Sequence, residues 1–333
     1  MAYSHLKKID NIIIEIVKKN ITDLHIKSGG NIYYRKNKRI YKSDRKTDYR
    51  SIERFISRQF SLEEMKIYNK YGNLDKSLKI DKNRLRMNIY KEDNGINMAI
   101  RVLRDEIIEY KNLRLPEQIE DLIYSNQGLI LITGSTGSGK STTVASIISE
   151  INKNRNKHII LIEDPIEYIH KDKKSMITQI EIGKDCLDFS TAIRACLRQD
   201  PDIIVIGEIR DRESLEIALR AAETGHLVIS TLHTNSASET IERITEMYSL
   251  KHQSQIRYLL SRTLKLIISQ ELVFKENRLY PIFEIMIVNN AIRNIIRMNK
   301  SFQIDNIIKT SRKIGMIDKE KFKSEIEKEE NFI

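Results

Sequence analysis

Residues 134–141 read GSTGSGKS, a full match to the pattern G-x-x-x-x-G-K-[ST]. No other stretch constrains the fold as strongly, because such a loop works between a strand and a helix. The flanks supply both. GLILIT (128–133) is a continuous apolar run of strand length, and STTVASIISEI (141–151) reads as a helix. Backbone N–H groups along the loop form an anion nest at a helix N-terminus. Gly134, Ser135, Thr136, Gly137, Ser138 and Gly139 would wrap the phosphates of a nucleoside triphosphate. Lys140 would reach the β- and γ-phosphates, Ser141 would place its hydroxyl on Mg²⁺, and Thr142 would follow in the first helical turn. Gly134 and Gly139 permit backbone angles that a Cβ would oppose.

The rest of the 333 residues is ample for two domains or one large one, and 40% apolar residues suffice for a core. Two cysteines, Cys186 and Cys196, make neither a disulfide framework nor a zinc site; packing in helical or near-helical segments is the expected role. The first twenty residues are apolar only in short pieces broken by Asp10, Glu15 and Lys18. No segment approaches the roughly 18 apolar residues of a membrane span. The expectation is a cytoplasmic protein without a signal peptide. Of the net charge of +11, nearly all lies in residues 1–110, which hold 25 Lys and Arg against 15 Asp and Glu. The densest stretch is YYRKNKRIYKSDRK (33–46). A solvated hairpin face explains it, with peripheral contact to an anionic membrane as the second reading and nucleic acid as a third that the other motifs do not support.

Residues 6–20 carry apolar positions at helical spacing, and 21–30 read as a short strand closed by Gly29-Gly30. A hairpin around Asn37, one helix over 50–70 and a hairpin at Asn94-Gly95 complete a small α+β domain over 1–105. After a linker at 106–117, strands at 128–133, 158–164, 202–208 and 226–233 alternate with helical segments, the pattern of a parallel sheet covered by helices. This predicts an α/β core over 118–275, then a helical subdomain and a charged, fraying tail over 276–333.

Two acidic motifs end predicted strands: IEDP (162–165), with Glu163 and Asp164, and DIIVIGEIRD (202–211), with Glu208. In open parallel sheets ligands bind beyond the carboxyl ends of the strands, so these acids belong beside the phosphates. One is needed near Mg²⁺ and another to orient or activate water. The apolar run before Glu208 marks it as one of them; spacing alone does not assign Glu163 against Asp164. His226 and His233 bracket one strand at an odd spacing, on opposite faces, and so are not set to share a metal. Thr234 and Asn235 beside His233 could sense the γ-phosphate. Arg194 and Arg198 share a helix face if AIRACLR is helical. Any single arginine, Arg210 included, is by default a surface ion pair.

Taken together, GSTGSGKSTT, LIEDPIEY, LRQDPDIIVIGEIRD and AAETGHLVISTLHTNSA resemble the Walker A, Asp box, Walker B and His box of the secretion ATPases. These motors drive type II secretion and type IV pilus assembly and retraction. ITDLHIKSGG and RLRMNIY…AIRVL are similar to the N-terminal domain of the same family. FEIMIVNNAIRNIIRMNK (283–300) and HKDKKSMITQIEIGKD (170–185) resemble the retraction branch, the PilT-like ATPases, and the four-cysteine zinc module of many assembly ATPases is absent from the sequence. Ile209, Met247–Ser249, Glu271 and Met298 depart from the retraction pattern. The resemblance implies a PAS-like N-terminal domain and a RecA-like P-loop ATPase domain that uses ATP and Mg²⁺, without zinc. It implies that Glu163 activates water, that Glu208 acts at Mg²⁺, and that Arg86 and Arg101 close over the phosphates. His226, His233, Arg194, Arg198 and Arg210 would couple nucleotide state to subunit contacts. The implied assembly is a homohexamer at the inner face of the cytoplasmic membrane. It would act on a PilC-like platform protein and through it on pilin, to retract a type IV pilus. A pilus or pseudopilus assembly ATPase, a type II secretion or DNA-uptake motor, and a RecA-like nucleic-acid motor are the alternatives.

Overall fold

The computed structural model describes residues 8–19, 21–36, 39–92, 95–103, 106–275 and 278–329. The chain divides into two compact units, Met1–Glu106 and Ile107–Ile333.

In the first unit, helix α1 (Lys8–Val17) precedes strands β1 (Asp23–Ile26), β2 (Asn31–Lys36) and β3 (Arg39–Lys46). Helices α2 (Tyr49–Gln59) and α3 (Leu62–Tyr71) follow, then β4 (Asn73–Ile80), β5 (Asn83–Glu92) and β6 (Gly95–Leu103). The sheet runs β3-β2-β1-β6-β5-β4 and every pairing is antiparallel. One face alone is buried: Leu85, Met87 and Ile89 alternate with partly exposed residues along β5 and pack with Ile9, Ile13 and Ile16 of α1 and Ile52 and Phe55 of α2. The single helix expected over 50–70 is broken, because Phe60 turns to extended backbone and Ser61 starts a new helix. Ser61 forms a capping box with Glu64, each side chain bonding the other's backbone N–H. Strand β4 was not foreseen; its alternation is of exposed and half-buried residues at a sheet edge, too polar to read as a strand. Asn37 and Asn94, the expected hairpin turns, lie outside the described residues.

The second unit opens with a 3-10 turn at Tyr110–Leu113 and helix α4 (Gln118–Ile123). Residues 106–117 are therefore not a free linker: the Ser146 hydroxyl donates to the Ile108 carbonyl at 2.6 Å, and Leu113 is buried. Next come β7 (Gly128–Thr133), α5 (Lys140–Asn154), β8 (His158–Glu163), β9 (Met176–Glu181), α6 (Phe189–Cys196) and β10 (Ile203–Ile206). Then follow α7 (Arg212–Glu223), β11 (Leu227–Leu232), α8 (Ala237–Glu246), α9 (Leu250–Thr263), β12 (Leu264–Lys275) and β13 (Arg278–Ile287). Helices α10 (Asn290–Arg297), α11 (Ile304–Thr310) and α12 (Lys319–Glu329) end the unit.

Its sheet has the order β13-β12-β7-β11-β10-β8-β9. All pairings are parallel except that of β13 with β12. Both faces are buried, as parallel sheets require. In β7, Leu129 and Leu131 face one cluster, with α6 to α11, while Ile130 and Ile132 face the other, with α4, α5 and α12. Each such side chain contributes roughly 1.5–3 kcal/mol through burial. Two expectations fail here. Strand β13 (Arg278–Ile287) pairs with β12 as part of the main sheet, where a helical subdomain was expected from residue 276. The charged C-terminal segment forms α12, whose Phe322 is buried edge-on against Phe283, with ring centroids 5.4 Å apart. Among the described residues no helix is long and apolar enough to cross a membrane.

Candidate active site

The carboxyl ends of four adjacent strands carry the sequence motifs. Across the sheet the order is loop 134–139 after β7, His233 after β11, Glu208 after β10 and Glu163 at the end of β8. Sequence order is thus rearranged so that residues up to a hundred positions apart share one edge.

The loop is shaped by close approach. Gly134 has φ +147°, and a Cβ there would lie 2.2 Å from the Gln270 carbonyl of β12 and 2.6 Å from Ser138 Oγ. Gly139, at φ +90°, precedes α5 as its N-cap residue; a Cβ would meet Gln270 Nε2 at 2.8 Å. No side chain caps the helix, so its first-turn N–H groups are left facing the loop. The Gln270 side chain is held from behind by the Thr143 hydroxyl, which donates to its Oε1 at 2.7 Å. Gln270 was not foreseen as part of the loop's support; only strand pairing brings it there.

Lys140 is buried, and its ammonium donates to the carbonyls of Gly134 (2.7 Å) and Ser135 (3.0 Å). Desolvation lowers its pKa, partly opposed by the negative charges of Glu208 and Glu167. The Ser138 hydroxyl is buried inside the loop and has no hydrogen-bond partner. A donor clustered on loop carbonyls and an orphaned hydroxyl in the same cradle leave polar groups that an anion would satisfy.

Glu208 is partly buried. Burial raises its pKa, but hydrogen bonds from Arg210 and His233 outweigh this and hold it below the usual carboxylate range. The Arg210 guanidinium bonds Glu208 Oε1 directly and lies 3.5 Å from Asp164; His233 Nε2 is 3.1 Å from Glu208 Oε2. Glu163 stands on the neighbouring strand. The Gly207 N–H donates to the Ile162 carbonyl at 2.8 Å, drawing the two strand ends together. A Cβ on Gly207 would approach the Glu163 Cα at 3.4 Å. Glu163 Oε2 accepts from Gln179 Nε2 at 2.8 Å. Next to Ser141, Thr142 shares a 2.8 Å hydrogen bond with the Tyr168 hydroxyl.

The remaining candidates scatter. His226 precedes β11 rather than lying within it and donates from Nδ1 to the Ala221 carbonyl at 3.1 Å, closing the end of α7. Thr234 is buried, its hydroxyl spent on Thr240. Arg194 pairs with Glu213, and Arg198 falls past the end of α6, where its guanidinium bonds the Arg194 carbonyl at 3.1 Å; the two do not share a helix face. Cys196 is buried, its thiol pushed up to about 12 by desolvation, while Cys186 lies outside the helices and is half-buried.

In the first unit, Arg86 and Arg101 are direct cross-strand partners on β5 and β6. Asp23 pairs with Arg101 in register and bonds it at 3.1 Å, and Arg86 lies 3.8 Å from Asp75. Both guanidinium groups remain substantially exposed.

A glycine loop beyond a central parallel strand, with acids beyond strands farther along the same sheet, is the construction of RecA-like P-loop ATPases, and the second unit is built this way. The family model described as type II/IV secretion system protein matches residues 3–291. The chain belongs to that family. It is 36% identical to the uncharacterized protein YggR of Escherichia coli, over 93% of this chain and 95% of that protein. It is 42% identical to the type IV pilus retraction ATPase PilT of Pseudomonas aeruginosa, over 70% of this chain and 68% of that protein. The solved structure of the pilus retraction motor PilT with bound ADP superposes with a TM-score of 0.85 at 41% identity, covering 95% of this chain and 96% of that one.

Proposed function

We propose that this chain is a ring-forming motor that hydrolyses ATP to retract a type IV pilus. The observation that carries the reading is the shared strand edge: a phosphate loop holding a buried Lys140, with Glu208 and Glu163 ending the strands beside one another. The full-length similarity to a retraction motor with bound ADP supports it.

In this reading Lys140 leaves the Gly134 and Ser135 carbonyls for the β- and γ-phosphates, and the loop N–H groups and the Ser138 hydroxyl bind phosphate oxygens. Ser141 and Glu208 would hold Mg²⁺, which when bound would neutralise charge developing on the phosphates. Glu208 suits that place because its lowered pKa keeps it ionised at neutral pH. Glu163 orients and deprotonates the attacking water. His233 and Arg210, both on the Glu208 carboxylate, report the state of that site to surrounding elements. Arg86 and Arg101 supply cationic charge to a transferring phosphoryl group. The working form is a homohexamer in the cytoplasm, peripheral to the inner membrane. It acts on a PilC-like platform protein and so on pilin.

Deletion in a piliated cell tests this directly. Excess, non-retracting pili are expected. Bald cells would replace retraction with assembly, and hydrolysis stimulated by DNA would favour a nucleic-acid motor.

A further inference from the structure

Strand register in the first unit sets one acid between arginines in a single row. Arg35 of β2 stands opposite Asp23 of β1, Asp23 opposite Arg101 of β6, and Arg101 opposite Arg86 of β5. The row lies on the face of the sheet away from the core, because the adjoining residues Leu24, Ile100 and Met87 are the buried ones. Like charges directly opposite each other repel, so Arg86 pushes Arg101 away from its place. Asp23 holds it from the other side. Arg101 Nε donates to Asp23 Oδ1 at 3.1 Å, and Asp23 Oδ2 accepts from the Thr22 hydroxyl at 2.9 Å. The Asp23 side chain is 18% exposed and that of Arg101 62%, so the carboxylate is the anchored member of the pair.

The nitrogen used matters. A guanidinium has five N–H donors, of which Nε carries one. A bond through Nε fixes the plane of the group and spares the two terminal NH₂ groups, the fork that takes two oxygens of a phosphate. Among the described residues that fork has no other hydrogen-bond partner. Arg86 is approached in the same way, its Nε lying 3.8 Å from Asp75 Oδ1.

We infer that Asp23 is a positioning residue for hydrolysis: by taking Nε it fixes the Arg101 guanidinium and turns the terminal fork outward, toward a phosphoryl group. The inference rests on the reading of Arg101 as a source of cationic charge for that group. Without Asp23, Arg101 keeps its charge but loses its orientation. Asp23 touches no nucleotide in this scheme. It preorganises a donor, and so acts on turnover more than on ATP affinity. The opposite role, cancelling the charge of Arg101, predicts the opposite sign: hydrolysis would rise once the carboxylate is removed.

The purified full-length protein is compared with Asp23→Ala, Asp23→Asn, Arg101→Ala and the double variant Asp23→Ala/Arg101→Ala. Each is measured for kcat, KM for ATP and a thermal unfolding midpoint. Asp23→Ala is expected to lower kcat about ten-fold, the scale of a hydrogen bond to a charged group, with KM within about two-fold of wild type. Asp23→Asn removes the charge but keeps an oxygen for Nε, and should recover most of the loss. Asp23→Ala should cost nothing further in the Arg101→Ala background, where there is no guanidinium left to orient. Asp23→Ser, too short to reach Nε, takes the place of Asp23→Ala if the alanine variant does not fold. An unchanged or raised kcat in Asp23→Ala overturns the inference, as does an equal loss in Asp23→Asn. The same fold-loss with and without Arg101 also overturns it, since Asp23 would then support the fold alone. Wild-type turnover in Arg101→Ala sinks the reading of Arg101 and the inference with it. A slow Arg101→Ala beside a wild-type Asp23→Ala sinks only the positioning role.

Discussion

Gly134→Ala tests the close packing of the phosphate loop. The residue sits at φ +147°, where side chains are strained, at a cost of about 1–3 kcal/mol. The added methyl would also lie 2.2 Å from the Gln270 carbonyl, far inside contact distance. That carbonyl cannot retreat easily, because β12 is paired on both sides, with β7 and with β13. Overpacking of this kind costs a further 1–3 kcal/mol or so, giving about 2–6 kcal/mol in all. Gly137→Ala is the internal control: it has φ +77° but nothing within 4 Å of an added Cβ. It should lose only the backbone part, about 1–2 kcal/mol. The two variants are compared by urea unfolding, following the transition of the second unit, with equal slopes required so that midpoints report stability. Gly134→Ala should unfold at distinctly lower urea than Gly137→Ala. Equal midpoints would mean that β12 does not press on the loop, and the account of its shape would be wrong.

Other perturbations separate binding from chemistry. Lys140→Ala should reduce hydrolysis by at least about 100-fold, since phosphate charge goes uncompensated; measured turnover near wild type would remove Lys140 from the site. Glu163→Gln should bind ATP yet hydrolyse it about 10²–10⁴-fold more slowly, read by binding and by phosphate release. Arg86→Ala gives up only an exposed ion pair with Asp75, worth about 0–1 kcal/mol, so its unfolding midpoint should hold while turnover falls; unchanged turnover would leave Arg86 structural. Glu284 is mostly buried, and burial raises its pKa from 4.5 despite a hydrogen bond from the Ala237 N–H. A raised carboxyl contributes stability below the unfolded value and loses it as pH rises through the folded one. Glu284→Gln should therefore flatten the pH dependence of stability just above 4.5 and hold or raise stability at neutral pH; a large loss at neutral pH would show that the ionised form is needed.

The loop was legible in the sequence because its chemistry is local: glycines, lysine and serine at fixed offsets between a strand and a helix. The acidic strand ends were legible too, because the apolar runs before Glu163-Asp164 and before Glu208 stop where a buried parallel strand must end, although spacing does not choose between Glu163 and Asp164. The elements missed have mixed surroundings. Strands β4 and β9 are sheet edges with few fully buried residues, so their apolar periodicity is faint. The β12–β13 hairpin alternates poorly because its inner part is covered on both faces, and a short apolar run of that kind reads equally well as helix. The break at Phe60-Ser61 was written in the capping residues Ser61 and Glu64 but was outweighed by the helical character on either side. Gln179 and Gln270 carry no sequence signal, since their partners are set by strand register: Gln179 lies 16 residues from Glu163, and Gln270 lies 127 from Thr143.

Strand β7 has consequences for the order in which the chain is made. It is the first strand of its unit to leave the ribosome, yet both of its neighbours, β11 and β12, are synthesised about a hundred residues later or more. At roughly 5–20 residues per second this leaves GLILIT without either edge partner for several seconds. Through that interval a strand buried along its whole length in the finished unit presents two unsatisfied edges, a template for pairing with the wrong chain. The phosphate loop inherits the delay, because its backing at Gln270 is among the last sheet positions to arrive. Nascent chains halted before residue 264 should lack a formed nucleotide loop and bind holdase chaperones, while chains extended past β13 should release them.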